Sequence, residues 1–169
     1  MTPAAPERRH CAYVGIGSNL NDPVMQVQTG IEALARLPET RLKHRSSLFR
    51  SAPLGVTEQA DFVNAVCRLS TDLDPHELLR RLLAIEAQHG RVREREKWGP
   101  RTLDLDLLLY DDLALVTPTL VLPHPRLHER AFVLYPLAEI DPALMVPGRG
   151  RVSELLATCM GQRVQRLDS

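Results

Sequence analysis

Several common devices are missing from this chain of 169 residues. No stretch approaches the roughly 18 consecutive apolar residues of a membrane helix. The amino terminus carries Glu7-Arg8-Arg9 without an apolar segment, so residues 1–11 are expected to form a frayed extension, neither signal peptide nor anchor. The 21 Lys and Arg balance 21 Asp and Glu, which argues against broad electrostatic binding to nucleic acid or to an anionic membrane. The three cysteines, Cys11, Cys67 and Cys159, are odd in number and form no C-x-x-C pair; they read as reduced thiols of a soluble, cytoplasmic protein. There is no G-x-x-x-x-G-K-[ST] loop and no Ser-His-Asp order, which removes ordinary P-loop kinase chemistry and covalent nucleophilic catalysis. Internal repeats and dividing linkers are absent too, so residues 12–169 are expected to fold as one domain.

What is present has a clear order. A short apolar strand over Ala12–Ile16 runs into Gly17-Ser18-Asn19, which reads as a turn. Asn21 or Asp22 followed by Pro23 starts a helix whose apolar positions Val24, Val27, Ile31 and Leu34 continue until Pro38. A polar, solvent-facing strand follows over Arg41–Ser51, then a loop over Ala52–Ala60, then a strand over Phe62–Thr71. Asp74-Pro75 opens a second helix, which ends at Gly90. With the Leu103–Tyr110 strand, the order becomes βαββαβ, the ferredoxin-like α+β arrangement of an antiparallel sheet with two helices on one face. The remainder reads as an extension: a small strand near Leu113–Val116, a proline-rich loop over Pro118–Pro125, a helix over Arg130–Ile140, and a short helix over Val152–Met160 capped by Ser153.

The Trp98-Gly-Pro-Arg-Thr-Leu-Asp-Leu-Asp-Leu-Leu-Leu-Tyr110 stretch carries the chemistry. In a strand, Asp104, Asp106 and Leu108 share one face while Leu103, Leu105, Leu107 and Leu109 share the other. Two carboxylates on the order of 6–7 Å apart at their α-carbons repel unless a cation lies between them. An oxygen-only pair suits Mg²⁺, which takes one or two protein carboxylates and completes its shell with water and phosphate oxygens. Alone, a D-x-D also describes a wet edge strand. Upstream, however, lie Arg91, Arg93, Arg95, Lys97 and Arg101 against only Glu94 and Glu96. Arginine forks and Mg²⁺ work on the same phosphate oxygens, so the combination points to a polyphosphate.

Other residues read less sharply. Asn64 beside Phe62 could read a flat heterocycle by hydrogen bonding and stacking, or simply satisfy backbone groups. His124, between Pro123 and Pro125, lacks partners at metal-ligand spacing, and Trp98, the single tryptophan, is as consistent with packing as with a ligand contact.

The Trp98–Leu108 stretch resembles the signature of the hydroxymethyl-dihydropterin pyrophosphokinase family, folate-pathway enzymes that transfer pyrophosphate from ATP to a pterin. Gly15-Ile-Gly-Ser-Asn-Leu20, Ser51-Ala-Pro-Leu-Gly55, Asp61-Phe-Val-Asn-Ala65, Ile85-Glu86 with Gly90-Arg-Val-Arg93, Pro123-His124 and Arg130-Ala-Phe-Val-Leu-Tyr-Pro-Leu137 resemble that family's blocks in the same order. The resemblance implies that Asp104 and Asp106 hold two Mg²⁺ ions between ATP and the pterin hydroxyl. It further implies that Arg91 and Arg101 contact the phosphates and support transfer, and that Arg93, Arg130, His124, Glu86 and Leu107 lie on the nucleotide side. The pterin would sit between Phe62 and Phe132, read by Asn64, with Ser51 and Leu54 completing the pocket and Trp98 closing over it. Loops Ser51–Ala60 and Arg91–Arg101 are expected to order on ATP binding. Departures from the pattern are Phe62 in place of tyrosine, Ala52 in place of the first proline of a pair, and Leu83 and Thr119 where some members carry glutamine and arginine. The expected partners are ATP and the pterin, with no nucleic acid, no membrane and a monomeric protein. Two other classes share features with this chain: a ferredoxin-like RNA-binding module, against which the acidic pair counts, and a Mg-dependent nuclease, which would leave the aromatic and asparagine pair unexplained.

Overall fold

Apolar side chains on both faces of β1 (His10–Ser18), β4 (Phe62–Thr71) and β5 (Asp104–Tyr110) build the centre of the molecule. The computed structural model describes residues 10–20, 22–52, 61–89 and 103–167. β1 lies between β4 and β5, antiparallel to both. β2 (Thr40–Arg45) and β3 (Phe49–Ser51) lie successively along the other edge of β4, and β10 (Val164–Arg166) adds to β3. Counting β2 and β3 as one interrupted strand, this is the ferredoxin-like order.

Helices α1 (Pro23–Ala35) and α2 (Pro75–Gln88) start as the Asp-Pro pairs foretell. Asp22 and Asp74 accept from the amides of Met25 and Glu77 while proline fills the first helical position. Both helices pack on one sheet face, where Val14, Ile16, Ala65, Leu69, Leu105 and Leu107 meet Val27, Leu34, Leu78 and Leu82. Gly30 of α1 allows this close approach, since an added Cβ would lie 3.0 Å from Leu103.

The opposite face is covered as well, by the segment that reads as a mere extension in the sequence. A 3-10 turn (Leu127–Glu129), α3 (Ala131–Ile140) and α4 (Val152–Ala157) pack Leu127, Leu134, Leu137 and Val152 against Tyr13, Val66, Leu108 and Leu109. Two short hairpins complete the chain, β6 (Leu115–Val116) with β7 (Val121–Leu122) and β8 (Met145–Val146) with β9 (Gly150–Arg151).

Several local expectations change. β1 begins at His10 and runs through Gly17 and Ser18, so His10 and Cys11 belong to the sheet, and Gly17 and Ser18 belong to the strand rather than to a turn. The expected strand over Arg41–Ser51 is split, and Thr40, Ser46, Phe49 and Ser51 are buried. At the break, Ser46 pairs with Val66 through its amide on one side and its hydroxyl on the other, so a side chain replaces a strand carbonyl. A bulge opposite Tyr13 and Val14 makes Leu108 an extra residue in β5. Leu109 therefore joins Leu108 on the α3 face instead of the leucine face, and Tyr110 turns back to donate its hydroxyl to the Leu73 carbonyl at 2.5 Å. Ser153 lies inside α4 rather than capping it; Arg151 holds the cap position, and the Val152 amide is taken by the Leu144 carbonyl.

Candidate active site

On the α3 face of the sheet two positions of β1 are glycines, both buried. Gly17 stands opposite Asn64 on β4 and opposite Asp104 on β5, while Gly15 stands opposite Val66 and Asp106. Glycines in a strand interior remove packing surface and mark a place where another group approaches the backbone. Here Gly15 is covered by the Leu108 side chain, 3.4 Å from an added Cβ, and Gly17 leaves a trough one strand wide between Asn64 and Asp104. The α-carbons of Asn64 and Asp104 are about 10 Å apart across it, two strand spacings.

One wall carries the amide and the aromatic ring. Asn64 is buried, at 5% exposure, and its Nδ2 donates to Ser51 Oγ at 2.7 Å. Its Oδ1 faces Gly17, where an added Cβ would lie 3.0 Å from Oδ1 and 3.9 Å from Phe62 Cδ1. Asn64 and Phe62 thus meet at Gly17, with Ser51 holding the far edge of the amide. Ser51 is fixed by pairing with Phe62 on one side and Val164 on the other.

The other wall carries charge. Asp104 and Asp106 are partly exposed on β5, whose intervening Leu105 amide donates to buried Glu86 Oε2 at 2.7 Å. His124 lies close to Asp104 and Arg130; its backbone amide donates to the Leu108 carbonyl, and its Nδ1 accepts from the Arg126 amide at 3.1 Å. Burial above all, then the Arg130 cation and to a smaller degree Arg126, lower its pKa against the opposing pull of Asp104, to about 4. The imidazole is therefore neutral near pH 7, with Nδ1 as acceptor and Nε2 left to carry the hydrogen. Arg130 extends from the start of α3 with its guanidinium carbon 5.6 Å from the centre of the Phe132 ring.

The geometry therefore joins Ser51, Phe62, Asn64, Asp104, Asp106, His124, Arg130 and Phe132 into one region around the glycine trough. Two other expected site residues sit differently. The Leu107 side chain lies in the core on the opposite face, 3% exposed, because strand alternation puts it there. Glu86 is 1% exposed and faces the backbone of β5, so its described bond holds the aspartate strand instead of reaching into the trough. Leu54, Arg91, Arg93, Trp98 and Arg101 lie outside the described residues, as do most of the two loops expected to order on ATP binding.

The turn composition of Gly17-Ser18-Asn19 hides the part of Gly17, and nothing in the strand expected over Ala12–Ile16 alone marks Gly15. The available signal was glycine at period two around the apolar Ile16, which keeps the alternation of the strand.

Among the described residues, no group of three or more His, Cys, Asp or Glu is placed to hold a metal. Two carboxylates on one strand face still fit Mg²⁺, a hard ion that leaves most of its shell to water and phosphate. They do not fit a closed zinc site.

A family model described as 7,8-dihydro-6-hydroxymethylpterin-pyrophosphokinase (HPPK) matches residues 13–142. The chain is 50% identical over 155 residues to the 2-amino-4-hydroxy-6-hydroxymethyldihydropteridine pyrophosphokinase of Pseudomonas aeruginosa, covering 92% of this chain and 95% of that one. It is 42% identical over 157 residues to the Haemophilus influenzae protein of the same name, covering 93% and 98%. Among solved structures, the HPPK-DHPS of Plasmodium falciparum superposes with a TM-score of 0.72 at 12% identity, over 90% of this chain and 46% of that one. That likeness concerns the fold, and this chain spans less than half the length of the Plasmodium protein.

Proposed function

The chain belongs to the 7,8-dihydro-6-hydroxymethylpterin-pyrophosphokinase family, and on that premise we propose how its site carries out pyrophosphate transfer. ATP is the co-substrate and 6-hydroxymethyl-7,8-dihydropterin the acceptor, in folate biosynthesis; AMP and the pterin diphosphate are the products. The observation that carries the assignment of residues is the glycine trough, which separates an amide and aromatic wall from a carboxylate wall by one strand. An RNA-binding or nuclease reading gives no reason for that division.

A flat pterin laid over Gly17 meets the Phe62 ring and presents its N–H edge to Asn64 Oδ1, the acceptor left after Nδ2 has been committed to Ser51. Phe132 supplies the second aromatic surface. The hydroxymethyl group then points across β1 towards Asp104 and Asp106. These carboxylates would hold two Mg²⁺ ions, which neutralise phosphate charge and lower the pKa of the attacking hydroxyl. In the reaction, the hydroxyl oxygen forms a bond to the β-phosphorus, the bond from that phosphorus to the oxygen bridging to the α-phosphate breaks, and the hydroxyl proton is released. Arg91 and Arg101 are assigned to the transferring phosphates. Arg93, Arg130 and neutral His124, donating through Nε2–H, are assigned to the rest of the nucleotide. Leu107 would serve through its backbone on the outer edge of β5, the side on which the Leu105 amide already bonds Glu86. Glu86 supports this assignment by fixing that edge.

We further read the protein as a cytoplasmic monomer with a single domain over residues 12–169. No helix among the described residues is long and apolar enough to cross a membrane. The deciding assay is incubation with Mg-ATP and 6-hydroxymethyl-7,8-dihydropterin. AMP formed only when the pterin is present is expected; ADP as the product, or AMP without dependence on pterin, would overturn the assignment.

A further inference from the structure

Arg130 occupies the hinge between the 3-10 turn and α3, with extended backbone angles of φ −115° and ψ 105°. As the cap residue of α3 it makes no side-chain cap bond. That leaves the start of the helix to be satisfied from elsewhere, since the first-turn amides have no acceptor within the helix. The acceptor comes from the carboxyl-terminal segment. Gln162 Oε1 accepts from the Ala131 amide at 3.0 Å, and the same side chain donates from Nε2 to the Glu129 carbonyl at 2.7 Å. One planar amide therefore holds the peptide groups immediately before and after Arg130.

We infer that Gln162 is a positioning residue for Arg130, and that through this two-bond bracket it sets the binding of the nucleotide. The inference rests on the reading of Arg130 as a nucleotide residue.

Bracketing both peptides fixes the direction of the Cα–Cβ bond of Arg130. The long side chain magnifies any error: a rotation of roughly 10° at the backbone displaces a group about 6 Å away by about 1 Å, the scale at which functional geometry is lost. The guanidinium is otherwise weakly determined by its own contacts. Its Nε is buried without a hydrogen-bond partner, and the described contact of the head group is the face of Phe132. Gln162 itself is well anchored. Its backbone N–H donates to the Cys159 carbonyl at 3.1 Å, and two residues later the chain enters β10, where Val164 pairs with Ser51 of β3. The bracket is thus tied to the sheet that also carries the pterin wall.

The test is a double-mutant cycle read by calorimetric binding of Mg²⁺ with the α,β-methylene analogue of ATP. Arg130→Ala is expected to weaken binding. Gln162→Met, close in size but unable to make either bond, should weaken it on the order of tenfold in the native background and less than about twofold beside Arg130→Ala, the signature of coupled residues. Gln162→Glu separates positioning from folding. Its carboxylate still accepts from Ala131 and suits a helix amino terminus, but it cannot donate to Glu129, so binding should weaken several-fold while the melting temperature holds or rises. Equal losses from Gln162→Met in both backgrounds would overturn the inference, as would native affinity in both Gln162 variants. Native affinity in Arg130→Ala would instead overturn the nucleotide assignment of Arg130 and, with it, the inference.

Discussion

Asn64 gives its Nδ2 hydrogen to Ser51 Oγ at 2.7 Å, and this one bond decides which edge of the amide faces the trough. With the amide held so, Oδ1 is available as an acceptor for the N–H groups of a pterin. Ser51→Ala removes the tether and leaves a buried donor without its partner, costing about 1–3 kcal/mol of stability. The Michaelis constant for pterin should rise several-fold while that for ATP stays close to native. Steady-state kinetics with each substrate varied in turn checks this; equal increases in both constants would refute an orienting role for Ser51.

Gly17→Ala probes the floor of the same pocket. The new Cβ would sit 3.0 Å from Asn64 Oδ1, closer than ordinary van der Waals contact, and the amide is held too firmly by Ser51 to swing away. The strand itself accepts alanine without backbone strain, but an Oδ1 that cannot move puts the overlap into the fold, so the melting temperature should drop by several degrees and pterin affinity should fall by at least about tenfold, the effect of roughly a 1.4 kcal/mol misfit. Equilibrium titration with the pterin measures it. Unchanged affinity would show that the ring does not lie over Gly17.

Much of this arrangement is legible in the sequence because it follows local rules. The Asp-Pro starts of α1 and α2, the span of β4 and the shared face of Asp104 and Asp106 depend only on capping chemistry and strand period. The rest depends on contacts between distant residues. Nothing local shows that Leu108 is bulged, that Ser46 substitutes a hydroxyl for a strand carbonyl, or that the segment after Asp111 closes the second face of the sheet. Gln162 is the extreme case, since its partners Glu129 and Ala131 lie more than 30 residues away and its type carries no motif. Gly17 misleads for a physical reason: Gly-Ser-Asn is a turn composition, and only pairing with β4 and β5 shows that Gly17 and Ser18 continue the strand.

The half-buried His124 gives the protein an acid sensitivity of definite sign. Its folded pKa of about 4 lies below the ordinary 6.5, so between those values the unfolded chain takes a proton that the native site refuses. Stability from this group is constant above pH 6.5 and falls as the pH drops towards 4, by at most about 1.4 kcal/mol per pH unit. Below pH 4 its contribution levels off. Urea denaturation of the metal-free protein at pH 7, 6, 5 and 4.5 should show a steeper decline for the native chain than for His124→Gln. Parallel curves would mean that the imidazole titrates normally in the folded state.

Asp104→Asn and Asp106→Asn separate chemistry from architecture on β5. The strand is held by Leu103, Leu105 and Leu107 in the core and by the Leu105 bond to Glu86, none of which involves either aspartate side chain. Removing one of two repelling carboxylates also relieves charge. Each variant should therefore melt within a few degrees of the native protein, yet form AMP at least about a hundredfold more slowly, the usual scale for losing a group that stabilises transition-state charge. EDTA should abolish AMP formation in the native protein, and added Mg²⁺ should restore it, because phosphate binding at this wall requires a cation between ligand and carboxylates. If either asparagine variant turned over at the native rate, that aspartate would not be a metal ligand, and the carboxylate wall would reduce to a solvated strand edge.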